Sequence, residues 1–198
     1  PALVVCIRVS ARDGEEGRVL IVCERVLESQ PSTMRLLVPR HPERFDAVAT
    51  LVGRMGLRLG RRSKNDLLTA EMQVYLGGSM GEMMGYYRLA SIAFVGGSLV
   101  NTGCQNVLEP AAFGIPVVTG PSQFNFATIC RQLEAESALR TVANEKELAD
   151  FLIDLIPDWA RQAEMGRRGK ALVEDNQDSL PALLSLLEPL LAAPSSDA

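Results

Sequence analysis

The sequence predicts an α/β fold, a doubly wound parallel sheet with helices on both faces. Two observations support this prediction. Short continuous apolar runs, typical of strands covered on both faces, alternate with segments in which apolar residues recur every three or four positions, as in helices. The connections between these segments are short, which favours parallel strands joined by helical crossovers.

In the first half of the chain, apolar runs predict strands at residues 3–7, 34–38 and 72–76. Between the first two strands, an apolar stripe from Val19 to Leu27 predicts a helix that Pro31 closes. A second helix is predicted from Pro42 up to Gly56. Residues 57–68 show no clear periodicity.

In the second half, strands are predicted at residues 92–95, 115–118 and 139–142. Helices are predicted at 81–89 and 106–113, around the apolar stripes 126–133 and 148–156, and at 158–174 and 179–191. No linker or internal repeat divides the chain. We therefore expect one domain over residues 1–198, with a helical C-terminal extension and a frayed tail from Pro194.

Composition excludes several classes of protein. The chain is 47% hydrophobic and 22% charged, which favours a packed core over disorder, and its net charge of −4 disfavours nucleic-acid binding. No apolar run is long enough to span a membrane, and residues 1–9 resemble a buried strand rather than a cleavable leader. A zinc site is not expected, because the four cysteines are scattered and His41 is the one histidine. Reduced, packed cysteines of a cytosolic protein fit the pattern better, with Cys104 as the exception. The cysteines are Cys6, Cys23, Cys104 and Cys130.

Unusual residues concentrate where the predicted strands end. Because the carboxyl ends of parallel strands meet at one edge, these segments are expected to surround a ligand at the point where the strand order reverses. The five segments are residues 10–16, 39–44, 77–82, 96–109 and 120–126.

The glycine-rich segment 96–109 has two interpretations. Asn106 and Glu109 have the spacing of a helix-capping pair, so their role could be purely local. Alternatively, Glu109 accepts hydrogen bonds from ribose hydroxyls while free N–H groups hold a phosphate. Cys104 adds a thiol here, and a helix N-terminus would lower its pKa.

The other segments allow the same choice between a local and a binding role. Arg40 could clamp a phosphate or form a solvated surface pair, and His41 is expected to be a hydrogen bonder rather than a general base. Glu15 and Glu16 complement the dipole of the first helix, which is a sufficient local reason for them, and Glu82 has the same ambiguity.

At these positions the sequence resembles the C-terminal half of bacterial transferases of 3-deoxy-manno-octulosonic acid (Kdo). The resemblance implies a Rossmann-like domain of a two-domain GT-B glycosyltransferase that moves Kdo from CMP-Kdo to a lipid A precursor in lipopolysaccharide biosynthesis. The motifs that carry it are residues 38–44, 80–82, 94–100 and 106–112, and Gly120-Pro121 with Phe124-Asn125-Phe126.

The resemblance also implies which residues bind the donor. It places no catalytic residue in this chain, since the general base, the acceptor site and the membrane-facing surface belong to the family's N-terminal domain. It implies no cofactor and no metal, and a location at the cytoplasmic face of the inner membrane. The nucleotide-binding positions are Pro39, Arg40, Met80, Gly81, Glu82, Asn106, Val107, Leu108 and Glu109. Further possible donor or phosphate contacts are Arg12, Gly14, Glu15, Gly97 and Ser98.

The sequence departs from the family pattern at four positions. Arg12, Gln105 and Ser122 stand where the family usually has histidine, and Ser91 stands where it usually has aspartate. Arg12 can still contact an anion and Gln105 can supply a hydrogen bond, but neither titrates near neutral pH. We expect the chain to bind CMP weakly and to be inactive alone. The alternatives are a domain of another GT-B enzyme, such as a UDP-sugar transferase or epimerase, and a degenerate non-catalytic binding module.

Overall fold

A computed structural model describes residues 4–9, 15–39, 41–69, 71–77 and 81–177, with backbone alone for residues 4–9. The described residues form one parallel sheet of seven strands in the order β3-β4-β2-β1-β5-β6-β7. The strands are β1 (Val4–Val9), β2 (Met34–Pro39), β3 (Leu59–Arg61), β4 (Val74–Leu76), β5 (Ile92–Val95), β6 (Val117–Thr119) and β7 (Leu139–Thr141).

Seven α-helices and two 3-10 turns connect these strands within the described ranges. No described helix has the length and apolarity that crossing a membrane requires. The helices are α1 (Glu15–Ser29), α2 (Phe45–Arg54), α3 (Met83–Leu89), α4 (Leu108–Ala112), α5 (Ala127–Ala135), α6 (Glu145–Leu155) and α7 (Trp159–Gln177). The 3-10 turns are Pro42–Arg44 and Arg62–Lys64.

The helices cover both faces of the sheet, as predicted. Alternate residues of one strand face opposite sides, so Leu37 packs with α1, α2 and α6 while Leu36 packs with α3. On the second face, α4, α5 and α7 pack around a separate cluster that includes Val117 and Leu133. All three clusters include strand residues, which explains why the strands are apolar throughout rather than alternating.

The strand order reverses at β1. From β1 the chain pairs first with β2 and later with β5, on the opposite side. All the strands are parallel, so the carboxyl ends of β1, β2, β4, β5 and β6 lie along the same edge of the sheet. This edge is where the sequence predicted a ligand.

The bounds of several elements differ from the sequence predictions, among them β4, which begins at Val74, and β6, which begins at Val117. The larger differences are the following. Residues 57–68, which showed no clear pattern, contain the edge strand β3 and a 3-10 turn. The helix predicted directly after Pro42 begins with a 3-10 turn, and α4 is shorter than predicted because it begins only at Leu108. The predicted helix at 179–191 and the tail lie outside the described residues.

Candidate functional site

The structure places the described candidate residues along the carboxyl edge. Pro39 is the last residue of β2, Gly81 and Glu82 directly precede α3, and Gly97 follows β5 by two residues. The segment from Asn106 to Glu109 leads into α4. Four candidates, Arg12, Gly14, Arg40 and Met80, lie outside the described residues.

Glu15 is a support for the loop after β5 and not a group open to solvent. Its side chain is 0% exposed. Its two carboxylate oxygens accept the N–H of Gly97 at 2.8 and 2.7 Å, and Oε1 also accepts the N–H of Leu99 at 3.2 Å. The expectation that Glu15 contacts the donor is therefore corrected: the first residue of α1 is bound to the loop after β5, across the point where the strand order reverses.

The loops after β5 and β6 are packed backbone against backbone. Gly97 has φ of 79° and Gly103 has φ of 78°, a region that favours glycine. A Cβ at Gly97 would collide with the carbonyl oxygen of Gly103. Ser98 is fully buried: its hydroxyl donates to the carbonyl of Val95 and accepts the N–H of Gly120. Gly97 and Ser98 thus build the loop, and the Gly97 N–H is already bound.

Ser122, which follows Gly120-Pro121 after β6, closes the same structure. Its hydroxyl accepts the N–H of Gly103 at 3.0 Å, and its own N–H donates to the carbonyl of Ser98. Gln105 donates its N–H to the carbonyl of Gly96. Both residues therefore fix the turn that precedes Asn106, with groups that do not titrate near neutral pH.

Asn106 and Glu109 contact each other, but not as the predicted capping pair, because the N-cap of α4 is Val107 and it has no side-chain cap hydrogen bond. The Asn106 Oδ1 accepts the N–H of Leu108 at 3.0 Å, and its Nδ2 donates to Glu109 Oε1 at 3.2 Å. Both side chains are partly exposed, so the hydrogen bond between them leaves them open to a ligand. The side chain of Val107 is 0% exposed in the core, so this residue would line a nucleotide site only through its backbone.

Glu82 is held by two partners that the sequence did not indicate. Arg62 donates from Nε to Glu82 Oε2 at 3.0 Å and from Nη2 to Oε1 at 2.9 Å. The hydroxyl of Tyr86 donates to the same Oε2 at 3.0 Å. This contact raises the pKa of Arg62, because the ionised Glu82 stabilises the charged guanidinium.

The sequence did not predict the ion pair that Glu16 forms with Arg44. Its carboxylate is 3% exposed, and Oε1 accepts from Nε and Nη2 of Arg44 at 3.2 and 2.9 Å. The pair joins the first turn of α1 to the segment after β2. His41, by contrast, lies at the surface with Nδ1 3.8 Å from Glu43. One signal in the sequence could have predicted the pair of Glu16 and Arg44. The predicted topology brings the basic segment 40–44 close to the first turn of α1.

Cys104 is packed inside the protein, so the expectation of a thiol in a phosphate loop is corrected. It is 1% exposed, and its Sγ lies 3.9 Å from Sγ of Cys130 on α5. The hydrogen bond between the two thiols is the main cause that lowers the pKa of Cys104, and the same contact raises the pKa of Cys130. Among the described residues, Cys23, Cys104 and Cys130 are free thiols.

A groove between α6 and α7 lies apart from this edge. It measures about 480 Å³, and Arg140 and Arg161 both stack on the Phe151 ring within it. Arg140 pairs with Glu147, and Arg161 with Asp154. Because these charges are balanced locally, the groove offers no excess positive charge to a phosphate.

Comparisons with known proteins point to one family. The chain is 40% identical over 188 residues to the 3-deoxy-D-manno-octulosonic acid transferase of Haemophilus influenzae, covering 94% of this chain and 44% of that protein. It is 33% identical to the enzyme of the same name from Bordetella pertussis, covering 90% of this chain and 43% of that protein. The chain thus spans less than half the length of these curated relatives. No family model matches the sequence.

A solved structure covers the same part of the fold. The C-terminal CMP-Kdo binding domain of WaaA from Acinetobacter baumannii superposes with a TM-score of 0.81 at 32% identity. The match covers 87% of this chain and 89% of that domain. The C-terminal domain of the glycosyl transferase LpcC from Francisella tularensis, at 17% identity and a TM-score of 0.62, shares the fold.

Proposed function

This chain belongs to the 3-deoxy-D-manno-octulosonic acid transferase family, and we propose that it holds the CMP moiety of a CMP-Kdo donor. The observation that carries the proposal is the 32% identity to a CMP-Kdo binding domain over 89% of that domain. The assembly of the described candidate residues along one carboxyl edge supports it, because ligands of doubly wound sheets bind there.

In this proposal, the ribose and the base lie over the start of α4 and the start of α3. The Glu109 carboxylate, already oriented by Asn106, accepts hydrogen bonds from two ribose hydroxyls. Gly81 has φ of 81°, and no atom lies within 4 Å of the place where a Cβ would stand. Its backbone can therefore approach the nucleotide closely. Glu82 lies beside it.

The phosphate is assigned to Arg40. The loop N–H groups of Gly97 and Leu99 are bound by Glu15, and that of Leu108 is bound by Asn106. A guanidinium is the group whose planar fork matches a phosphate and balances the charge that develops on the leaving monophosphate. No metal is required for this role.

The acceptor lies outside this chain in the proposed mechanism. Transfer needs a lipid A precursor and a general base across a cleft, contributed by the rest of a longer enzyme at the inner membrane. The Kdo group enters that cleft while this domain retains CMP. We therefore expect CMP binding without sugar transfer when the chain is tested alone.

Titration calorimetry of the chain with CMP, UMP and UDP tests the proposal. CMP should bind more tightly than UMP and UDP, and Arg40→Ala and Glu109→Ala should each weaken CMP binding. Arg25→Ala is the control, since Arg25 pairs with Asp150 on the exposed surface between α1 and α6. Preference for UDP would indicate a different sugar-nucleotide enzyme of this fold, and absence of nucleotide binding would indicate a non-catalytic module.

A further inference from the structure

Arg62 lies beside Glu82, one of the candidate nucleotide-binding residues, because of the edge strand β3. β3 pairs with β4 in parallel register, Arg61 opposite Leu76, so the 3-10 turn that follows β3 lies beside the carboxyl end of β4. Arg62 opens this turn and meets Glu82, which is 20 residues later in the sequence.

The guanidinium is held in a fixed orientation. Two of its nitrogens donate to the two oxygens of Glu82, and Nη1 donates to Oδ1 of Asn65 at 3.1 Å. Asn65 ends the turn with φ of 57°, a left-handed conformation that asparagine tolerates. A fork of this kind fixes a carboxylate in plane as well as in distance, which a lysine cannot do.

Tyr86 is the second residue that holds Glu82 in place. Its hydroxyl donates to Glu82, and its ring covers Gly77, where a Cβ would lie 2.9 Å from ring carbons. Gly77 itself donates its N–H to the carbonyl of Leu37 on β2. Tyr86 therefore contacts both Gly77, which follows β4, and Glu82, which precedes α3.

We propose that Arg62 is a positioning residue for the nucleotide: by orienting Glu82, it fixes the adjacent Gly81 at the CMP site. The inference rests on the proposed function, in which Gly81 lies close to the nucleotide. Arg62 itself touches Glu82 rather than the ligand.

The effect should appear in binding and not in stability. The side chains of Arg62 and Glu82 are 41% and 38% exposed, and an exposed ion pair adds little to the free energy of unfolding. Arg25 and Asp150 form a pair of similar exposure, 38% and 45%, away from the carboxyl edge. Arg25→Met is therefore a matched control for Arg62→Met.

Calorimetric titration with CMP should show Arg62→Met weakening affinity by about tenfold, within the range for coupled neighbours. Arg62→Lys, which keeps the charge without the fork, should fall between Arg62→Met and the wild type. Arg25→Met should bind CMP as the wild type does, and all three variants should unfold at the wild-type temperature within about 2 °C.

A double-mutant cycle with Glu82→Gln separates this role from a direct contact. If Arg62 acts through Glu82, adding Arg62→Met to Glu82→Gln should weaken CMP binding by less than about twofold more. Full additivity, or equal affinity of Arg62→Met and Arg25→Met, would overturn the inference and leave the proposed function standing. A wild-type chain that does not bind CMP would overturn both.

Discussion

Replacing Glu15 by alanine should lower the free energy of unfolding by about 3–7 kcal/mol. The substitution leaves the buried N–H groups of Gly97 and Leu99 without their acceptor, and each unsatisfied buried donor costs about 1–3 kcal/mol. The space left by the 0% exposed side chain adds about 1 kcal/mol. Glu15→Gln, which keeps one oxygen, should cost about 1–2 kcal/mol.

Equilibrium urea unfolding followed by circular dichroism measures the effect. Glu24→Ala is the matched control, because Glu24 lies on the same helix and is exposed, so its loss should stay within about 0.5 kcal/mol. A Glu15→Ala variant within about 1 kcal/mol of the wild type would refute the reasoning. It would mean that the loop after β5 does not depend on this carboxylate.

Three further predictions concern stability and are checked by the same urea unfolding. Arg44→Met should cost about 2–4 kcal/mol, since it leaves the buried Glu16 carboxylate uncompensated; a loss under about 1 kcal/mol would contradict this. Gly166→Ala should cost about 1–3 kcal/mol, because a Cβ there would collide with the Gly114 carbonyl, whereas Gly53→Ala, in open space within α2, should be neutral or stabilising; equal effects would exclude close packing of α7 as the cause. Hydrogen bonds from Arg167 and Arg168 lower the pKa of Glu164 from 4.5 to about 2, so its contribution is present above pH 4.5 and lost as the pH falls towards 2. Glu164→Gln should unfold with a smaller dependence on pH across that interval, and parallel curves would contradict the assignment.

Every strand of the sheet except β3 could be predicted from the sequence, because these strands are buried on both faces. Continuous apolar runs such as residues 92–95 leave few alternatives, and the predicted strand there matches β5 residue for residue. β3 was missed because a three-residue edge strand with a glycine at its centre has no periodicity to detect. Helix α4 was predicted too long because Asn106 was expected to be its N-cap, whereas Val107 is the N-cap and Asn106 binds the Leu108 N–H from outside the helix.

The candidate site was predictable in position and less so in role. Strand ends could be located from the sequence, so the segments around Gly81, Gly97 and Asn106 were found. The role of Glu15 was not, because an acidic residue in a first helical turn already has a local reason to be there. The contact of Arg62 with Glu82 depends on β3, and a missed edge strand removes any reason to bring the two residues together.

The hydrogen bonds of Glu15 join residues 82 and 84 positions apart in the chain. They cannot form while α1 is made alone, and exist only after β5 has paired with β1. Such distant contacts close late in folding, because the entropy of a long loop must be lost first. During synthesis the Glu15 carboxylate stays hydrated until β5 has emerged, and the loop after β5 gains its support only when that strand pairs with β1.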